Sequence, residues 1–157
     1  ESVFVLECLA PEKWNADRFL PPTPIRIVIN HRGNPELGKD GRFIAMPNTL
    51  RNGPAHLIPD FTEIRGLIQP MAQASESLAS KQASELKQFA IGMMHEKLSR
   101  EIQRLESLAK VNATIRQEEL SLLRKEQLNL ENSLDQAIFR LDSIRLIWKG
   151  DMERLKN

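Results

Sequence analysis

The stretch Val111-Asn112-Ala113-Thr114 lies between two long segments that both carry helical signals, and its reading decides the fold. C-terminal to it, Leu120, Leu123, Gln127, Leu130, Leu134, Ala137, Leu141, Ile144 and Trp148 recur at alternating steps of three and four. All but Gln127 are apolar, so the spacing predicts one helix with a narrow seam, running from Thr114 to about Lys149. Thr114 followed three residues later by Gln117 is a capping-box signature for its start. The preceding segment closes on Leu105, Leu108, Ala109 and Lys110, the last a cation suited to a helix C-terminus. So short a connection between helices makes them antiparallel neighbours. A hairpin with its turn at residues 111–114 follows.

Working back, Asp60 with Glu63 is a second capping signal. It opens a helix whose apolar positions are Ile64, Leu67, Ile68, Met71, Leu78, Leu86, Phe89, Met93, Leu98, Ile102 and Leu105. Pro70 lies inside it, four residues after Gly66. An interior proline removes a backbone bond at a cost of ~3 kcal/mol, which predicts a kink or restart near residues 66–70. At 1.5 Å per residue the first helix would span ~76 Å and the second ~54 Å. The partner helix therefore covers only the later part of the first, and residues 60–75 are left to pack on a sheet.

That sheet comes from the N-terminal third. Residues 2–9 (SVFVLECL) form a β-rich, almost continuously apolar run, as expected of a strand central in a sheet or held between layers. Glu7 interrupts it and reads as a face open to water. Trp14 and Phe19 pin a loop or single turn over residues 12–20. Pro21, Pro22 and Pro24 enforce an extended entry into Ile25-Arg26-Ile27-Val28-Ile29, the second strand. Asn30-His31-Arg32-Gly33-Asn34 is a turn. Arg42-Phe43-Ile44-Ala45-Met46 is expected to be a short third strand beside the second, closed by Pro47, with a further break at Asn52-Gly53-Pro54.

The 157 residues suit one domain with a single core. Balanced charge, 22 basic against 21 acidic residues, gives no global field for nucleic acid or anionic lipid. The lone Cys8 excludes an internal disulfide and suits a reducing compartment. No apolar run approaches bilayer-crossing length, so a soluble chain is expected. The lack of an initiating methionine and the dense apolar start predict a fragment of a longer protein.

Signals for chemistry are sparse. His31, His56 and His95 lack partners at metal-ligand spacing, and His95, beside Glu96 and near Met93 and Met94, reads as a surface histidine. There is no phosphate-cradling glycine loop and no Gly-x-Ser-x-Gly elbow. Glu96–Arg100 and Glu106–Lys110 fall at i,i+4 in the favourable order and read as surface pairs. Gln127, alone and polar in its seam, reads as a register-fixing residue. Met93 and Met94 read as gap fillers in a core. Arg26, Arg32, Lys39, Arg42 and Arg51, with Phe43 nearby, are the only basic cluster that could meet nucleic acid. Catalytic, cofactor-binding and metal residues are all expected to be none.

A resemblance adds to this reading. Phe4-Val5-Leu6-Glu7, Ala10-Pro11, Asn15 through Arg26, Glu96-Lys97-Leu98-Ser99, Arg104-Leu105-Glu106, Val111-Asn112, Ile115-Arg116, Glu119-Leu120, Ser133 through Ala137, Arg140-Leu141-Asp142 and Arg145-Leu146-Ile147 resemble the C-terminal domain of the RapA family. These are bacterial RNA polymerase-associated ATPases of the Swi/Snf helicase-like group. The departures are residues 35–58, Pro70, Ala113 where a proline is familiar, and the tail from Lys149. The resemblance implies a cytoplasmic bacterial parent that binds core RNA polymerase and nucleic acid and promotes polymerase release and recycling. It also implies that ATP and magnesium belong to motor lobes upstream, with no cofactor and no catalytic residue in this chain.

The expected fold class is α+β, a small, mostly antiparallel sheet followed by a long antiparallel helical hairpin. Residues 1–58 would be β-rich, 60–149 the hairpin and 150–157 a tail, within one structural domain. The expected function is a non-catalytic C-terminal module that packs on upstream domains or contacts polymerase, with no membrane partner. A self-associating coiled-coil module and an auxiliary nucleic-acid-binding module are the alternatives.

Overall fold

The computed structural model describes residues 1–45, 61–112 and 116–147. The elements are β1 (Ser2–Glu7), two single 3-10 turns (Glu12–Trp14 and Ala16–Arg18), β2 (Thr23–Ile27), α1 (Phe61–Ala109), α2 (Gln117–Asp135) and β3 (Ile138–Ile144). This is an α+β arrangement. The three strands form one small antiparallel sheet in the order β2-β1-β3. β1, the most apolar run, takes the central place, with Ser2, Phe4 and Leu6 buried and the alternate residues half-buried. Glu7 stands on the half-exposed face, where Arg140 reaches it at 3.3 Å.

The expected helix through Lys149 is corrected. α2 stops at Asp135 and the chain re-enters the sheet as β3. Spacings of three and four at Leu134, Ala137, Leu141 and Ile144 fit a helix, yet the same segment offers Ile138, Phe139 and Ile144 for a strand. Pairing decides between them. The amine of Glu1 donates to the carbonyl of Arg145 at 2.9 Å, and the amide of Arg145 returns a bond to the carbonyl of Glu1 at 2.8 Å. Such an exchange marks a hydrogen-bonded pair in an antiparallel ladder.

The described residues divide into two compact units. The first comprises Glu1–Phe4, Ile25–Ser80 and the chain from Leu141 on. Its core holds Phe4, Ile25, Ile27, Val28, Ile29 and Ala79, together with a buried hydroxyl pair, Ser2 and Ser75, 3.0 Å apart. Residues that the hairpin leaves uncovered thus meet β1, as their length suggested. The second strand is placed as expected but ends at Ile27. The third is corrected: Arg42–Ile44 does not lie beside β2. The chain instead makes two successive turns, bridging Ile29 to Pro35 and Leu37 to Phe43. Asn30 Oδ1 accepts from the amides of Arg32 and Asn34 in the first turn. Gly33 sits there at φ +77°, and a Cβ on it would lie 3.4 Å from that of Ala74. Met46, the breaks at Pro47 and Asn52–Pro54, and the Asp60 cap lie outside the described residues.

α1 is one uninterrupted helix of 49 residues with Pro70 inside it, so the expected restart does not occur. The proline forfeits a single bond, to the carbonyl of Gly66, and the rest of so long a ladder carries the chain through.

The second unit comprises Val5–Pro24 and Lys81–Arg140. Here the hairpin forms. Lys87 Nζ donates to the carbonyl of Asp135 at 2.9 Å, Gln127 lies 2.9 Å from His95 and 3.2 Å from Ser99, and Arg124 pairs with Glu106. Partners rise along α1 as they fall along α2, so the helices run antiparallel. Lys87 also supplies a cation and a donor at the C-terminal end of α2, where carbonyls lack helical partners. From α2, Leu120, Leu130 and Leu134 are buried, as the seam predicted, with Leu123 and Gln127 half-buried. From α1 the buried row is Ala83, Ala90, Met94, Leu98 and Ile102. Phe89 and Met93, expected in the core, lie outside it. Thr114 and Trp148 fall outside the described residues, and α2 begins after Arg116.

Leu130 is fully buried, whereas Leu128 is 58% exposed. Leu130→Ala is expected to lower the unfolding free energy by about 2–5 kcal/mol. Leu128→Ala should change it by no more than ~0.5 kcal/mol, both read by denaturant titration. Cys8 is buried, its thiol donating to the carbonyl of Ser133 at 3.3 Å. Burial raises its pKa above the ordinary 9.0, and the negative charge of Asp17 adds to the effect. Disulfide-exchange reagents should label it roughly tenfold or more slowly than in the denatured chain. A raised folded-state pKa contributes stability that is complete below the unfolded value. Stability should therefore fall as the pH climbs past 9.0 towards the folded value, and Cys8→Ala should remove that dependence.

Candidate interaction surface

The residues singled out for chemistry do not converge. Among the described residues no three His, Cys, Asp or Glu side chains are grouped to hold a metal. His31 is exposed on the first turn, and His56 lies outside the described residues. His95 departs from a plain surface histidine, for it bridges to α2 through Gln127 and through Glu131, 3.3 Å from its Nε2.

One member of the basic cluster is already engaged. Arg26 is committed internally, to the Glu1 carboxylate at 3.0 Å and to the carbonyl of Ile44 at 2.9 Å. Arg32 belongs to the first turn, and Lys39 and Arg42 to the second. Phe43, in the bridge to Leu37, is half-buried. Arg51 lies outside the described residues.

In the second unit several charged side chains are taken up in pairs. Arg18 reaches Glu126 at 3.2 Å, Arg100 pairs with Glu96, and Arg104 lies 3.7 Å from Glu101. Glu106, expected to pair with Lys110 on its own helix, crosses to Arg124. The Phe19 ring carries Arg18 at 4.7 Å and Lys97 at 6.0 Å from its centre, within cation–π range.

Among several exposed apolar side chains, two lie one turn apart on α1. Phe89 is 68% exposed and Met93, one turn further along, 46%. The inward row at Ala90, Met94, Leu98 and Ile102 runs one residue later in the sequence, which turns Phe89 and Met93 outward. The small side chains of that row, Ala83 and Ala90, were the overlooked signal. An exposed aromatic and thioether on a stiff helix suit contact with another macromolecule.

The first unit has an open apolar groove of its own, lined by Ile29, Ile68, Met71, Ala72, Ile144 and Leu146. Glu1, Ser2 and Arg145 also line it, with the Glu1 amine hydrogen-bonded to the carbonyl of Arg145 and the Ser2 hydroxyl to Ser75. Among the described residues no helix is long and apolar enough to cross a membrane.

These features describe a surface for association. A profile of the RNA polymerase recycling family C-terminal matches residues 1–149. The match takes in both units, the three strands and both helices. This chain therefore belongs to the RNA polymerase recycling family, as its C-terminal domain.

Proposed function

We propose that this chain is the non-catalytic C-terminal module of a RapA-like, polymerase-associated ATPase, and that the outer face of α1 around Phe89 and Met93 docks on core RNA polymerase. The observation that carries the reading is Phe89, an aromatic ring 68% exposed on α1, with Met93 exposed one turn further along. Leaving that ring in water forgoes stabilisation of roughly 1.5–3 kcal/mol, which a docked surface would recover. The nucleotide, its magnesium ion and the catalytic residues belong, on this reading, to motor lobes of the parent. DNA and RNA would likewise be engaged by the parent.

The alternatives draw less support. The seam of α2 is met by α1 of the same chain, which leaves that seam no role in self-association. Sedimentation over a concentration series should accordingly return a monomer. Arg26 is already engaged within the fold, so a salt titration of DNA or RNA binding should lack the steep slope of many phosphate contacts.

The decisive test uses the parent ATPase carrying Phe89→Glu and Met93→Glu together. A hot-spot aromatic is worth about 2 kcal/mol or more, which is roughly a 30-fold loss of affinity. Capture of core polymerase is expected to weaken by that factor while the melting of this module stays within a few degrees. Undiminished capture would refute docking through this face, and a concomitant change in the parent's ATPase rate would assign the face to a neighbouring domain.

A further inference from the structure

The side-chain amide of Gln127 faces two polar groups of α1. Its Nε2 lies 2.9 Å from Nδ1 of His95 and 3.2 Å from Oγ of Ser99. An amide nitrogen only donates, so with the amide turned this way Nδ1 is the bare nitrogen of the ring. The single proton of the neutral imidazole then sits on Nε2, which lies 3.3 Å from Oε2 of Glu131, one turn further along α2. Each polar group has a complementary partner.

We propose that His95, Gln127, Ser99 and Glu131 form a proton-responsive clasp between the helices, which reverses its hydrogen bonds when His95 gains a proton while holding the register of the hairpin. An imidazolium donates from both nitrogens. Nδ1–H would then face the amide NH2, donor against donor. A half-turn of the Gln127 amide exchanges Oε1 for Nε2 in the same place. With two lone pairs, Oε1 accepts from Nδ1–H and from the hydroxyl of Ser99, which changes from acceptor to donor. On the other side of the ring, the contact with Glu131 becomes a charged pair. One proton enters from solvent, and no helix needs to move.

The surrounding groups leave this exchange to the four residues. From α2 the ring is faced by Gln127 and Glu131, and from its own helix by Ser99. The neighbouring charges are engaged elsewhere, Glu96 with Arg100 and Arg124 with Glu106. The ring is partly open, so protons can reach it from water. Histidine is the side chain whose charge ordinarily changes near physiological pH.

Nuclear magnetic resonance on the full 157-residue chain tests the clasp. Between about pH 8 and about pH 5, where histidine ordinarily changes charge, the Gln127 side-chain amide resonances should shift with the same midpoint as the His95 ring nitrogens. Nδ1 should pass from bare to protonated, and cross-peaks between α1 and α2 should persist throughout. In His95→Asn, which cannot titrate, the Gln127 resonances should be flat over that range. Gln127 resonances that stay flat in the wild-type chain while His95 titrates would overturn the proposal. Loss of the interhelical cross-peaks on protonation would overturn it too, since the clasp would then open instead of reversing.

Discussion

The second unit depends on one constraint, the register of α1 against α2. Four crossings set it: Lys87 to the last carbonyl of α2, His95 and Ser99 to Gln127, His95 to Glu131, and Glu106 to Arg124. Apolar contact alone would not fix it, because a row of alanine, leucine and methionine can slide by a turn with little change in buried area. A polar residue in a seam makes the wrong register costly, since slipping would strand its hydrogen bonds. Gln127 does this in the middle of the hairpin, Arg124 one turn before it on α2, and Lys87 at the C-terminal end of α2. The leucines supply the larger part of the stability, about 1.5–3 kcal/mol for each fully buried side chain. The polar crossings decide where that stability is realised.

The same register determines what faces water. With Ala90, Met94, Leu98 and Ile102 turned inward, the residue before each of the first two is turned out, and those are Phe89 and Met93. A small inward residue at position 90 and a large outward one at 89 is the reverse of what solubility alone would favour. A helix serving only to complete a hairpin gains nothing from it. The arrangement is intelligible if the outer face meets a partner, in line with the family to which the chain belongs.

Much of the architecture could be read from the residues. The alternating apolar run of β1, the isoleucines of β2 and the leucines of α2 each carry the period of their element, and the break after Ala109 was evident from its position between two such runs. Two features were hidden for physical reasons. β3 shares its apolar positions with a plausible continuation of α2, and only pairing with β1, distant in sequence, selects the strand. On α1 the expected Leu98 and Ile102 are buried, and so is Met94, but Phe89 and Met93 were placed in the core because hydrophobic size was taken as the guide, whereas the close approach of two helices there uses Ala83 and Ala90. The exposure of Phe89 followed from that same error, so the surface now proposed for docking could not be read until the register was known.

The surface ion pairs fit this picture better as a matter of selectivity than of stability. Exposed pairs such as Arg100 with Glu96 and Arg104 with Glu101 contribute at most about 1 kcal/mol each. Their effect lies in neutralising one another along α1, which leaves no long stretch of one sign to attract nucleic acid or to steer an oppositely charged protein from a distance. Encounters with polyanions are thereby weakened, while a partner with a complementary apolar recess loses little. A face that presents Phe89 and Met93 among mutually neutralising charges discriminates by shape and desolvation, and it can do so only on a rod whose rotation about its own axis is fixed. Gln127 and the charged crossings on either side of it fix that rotation.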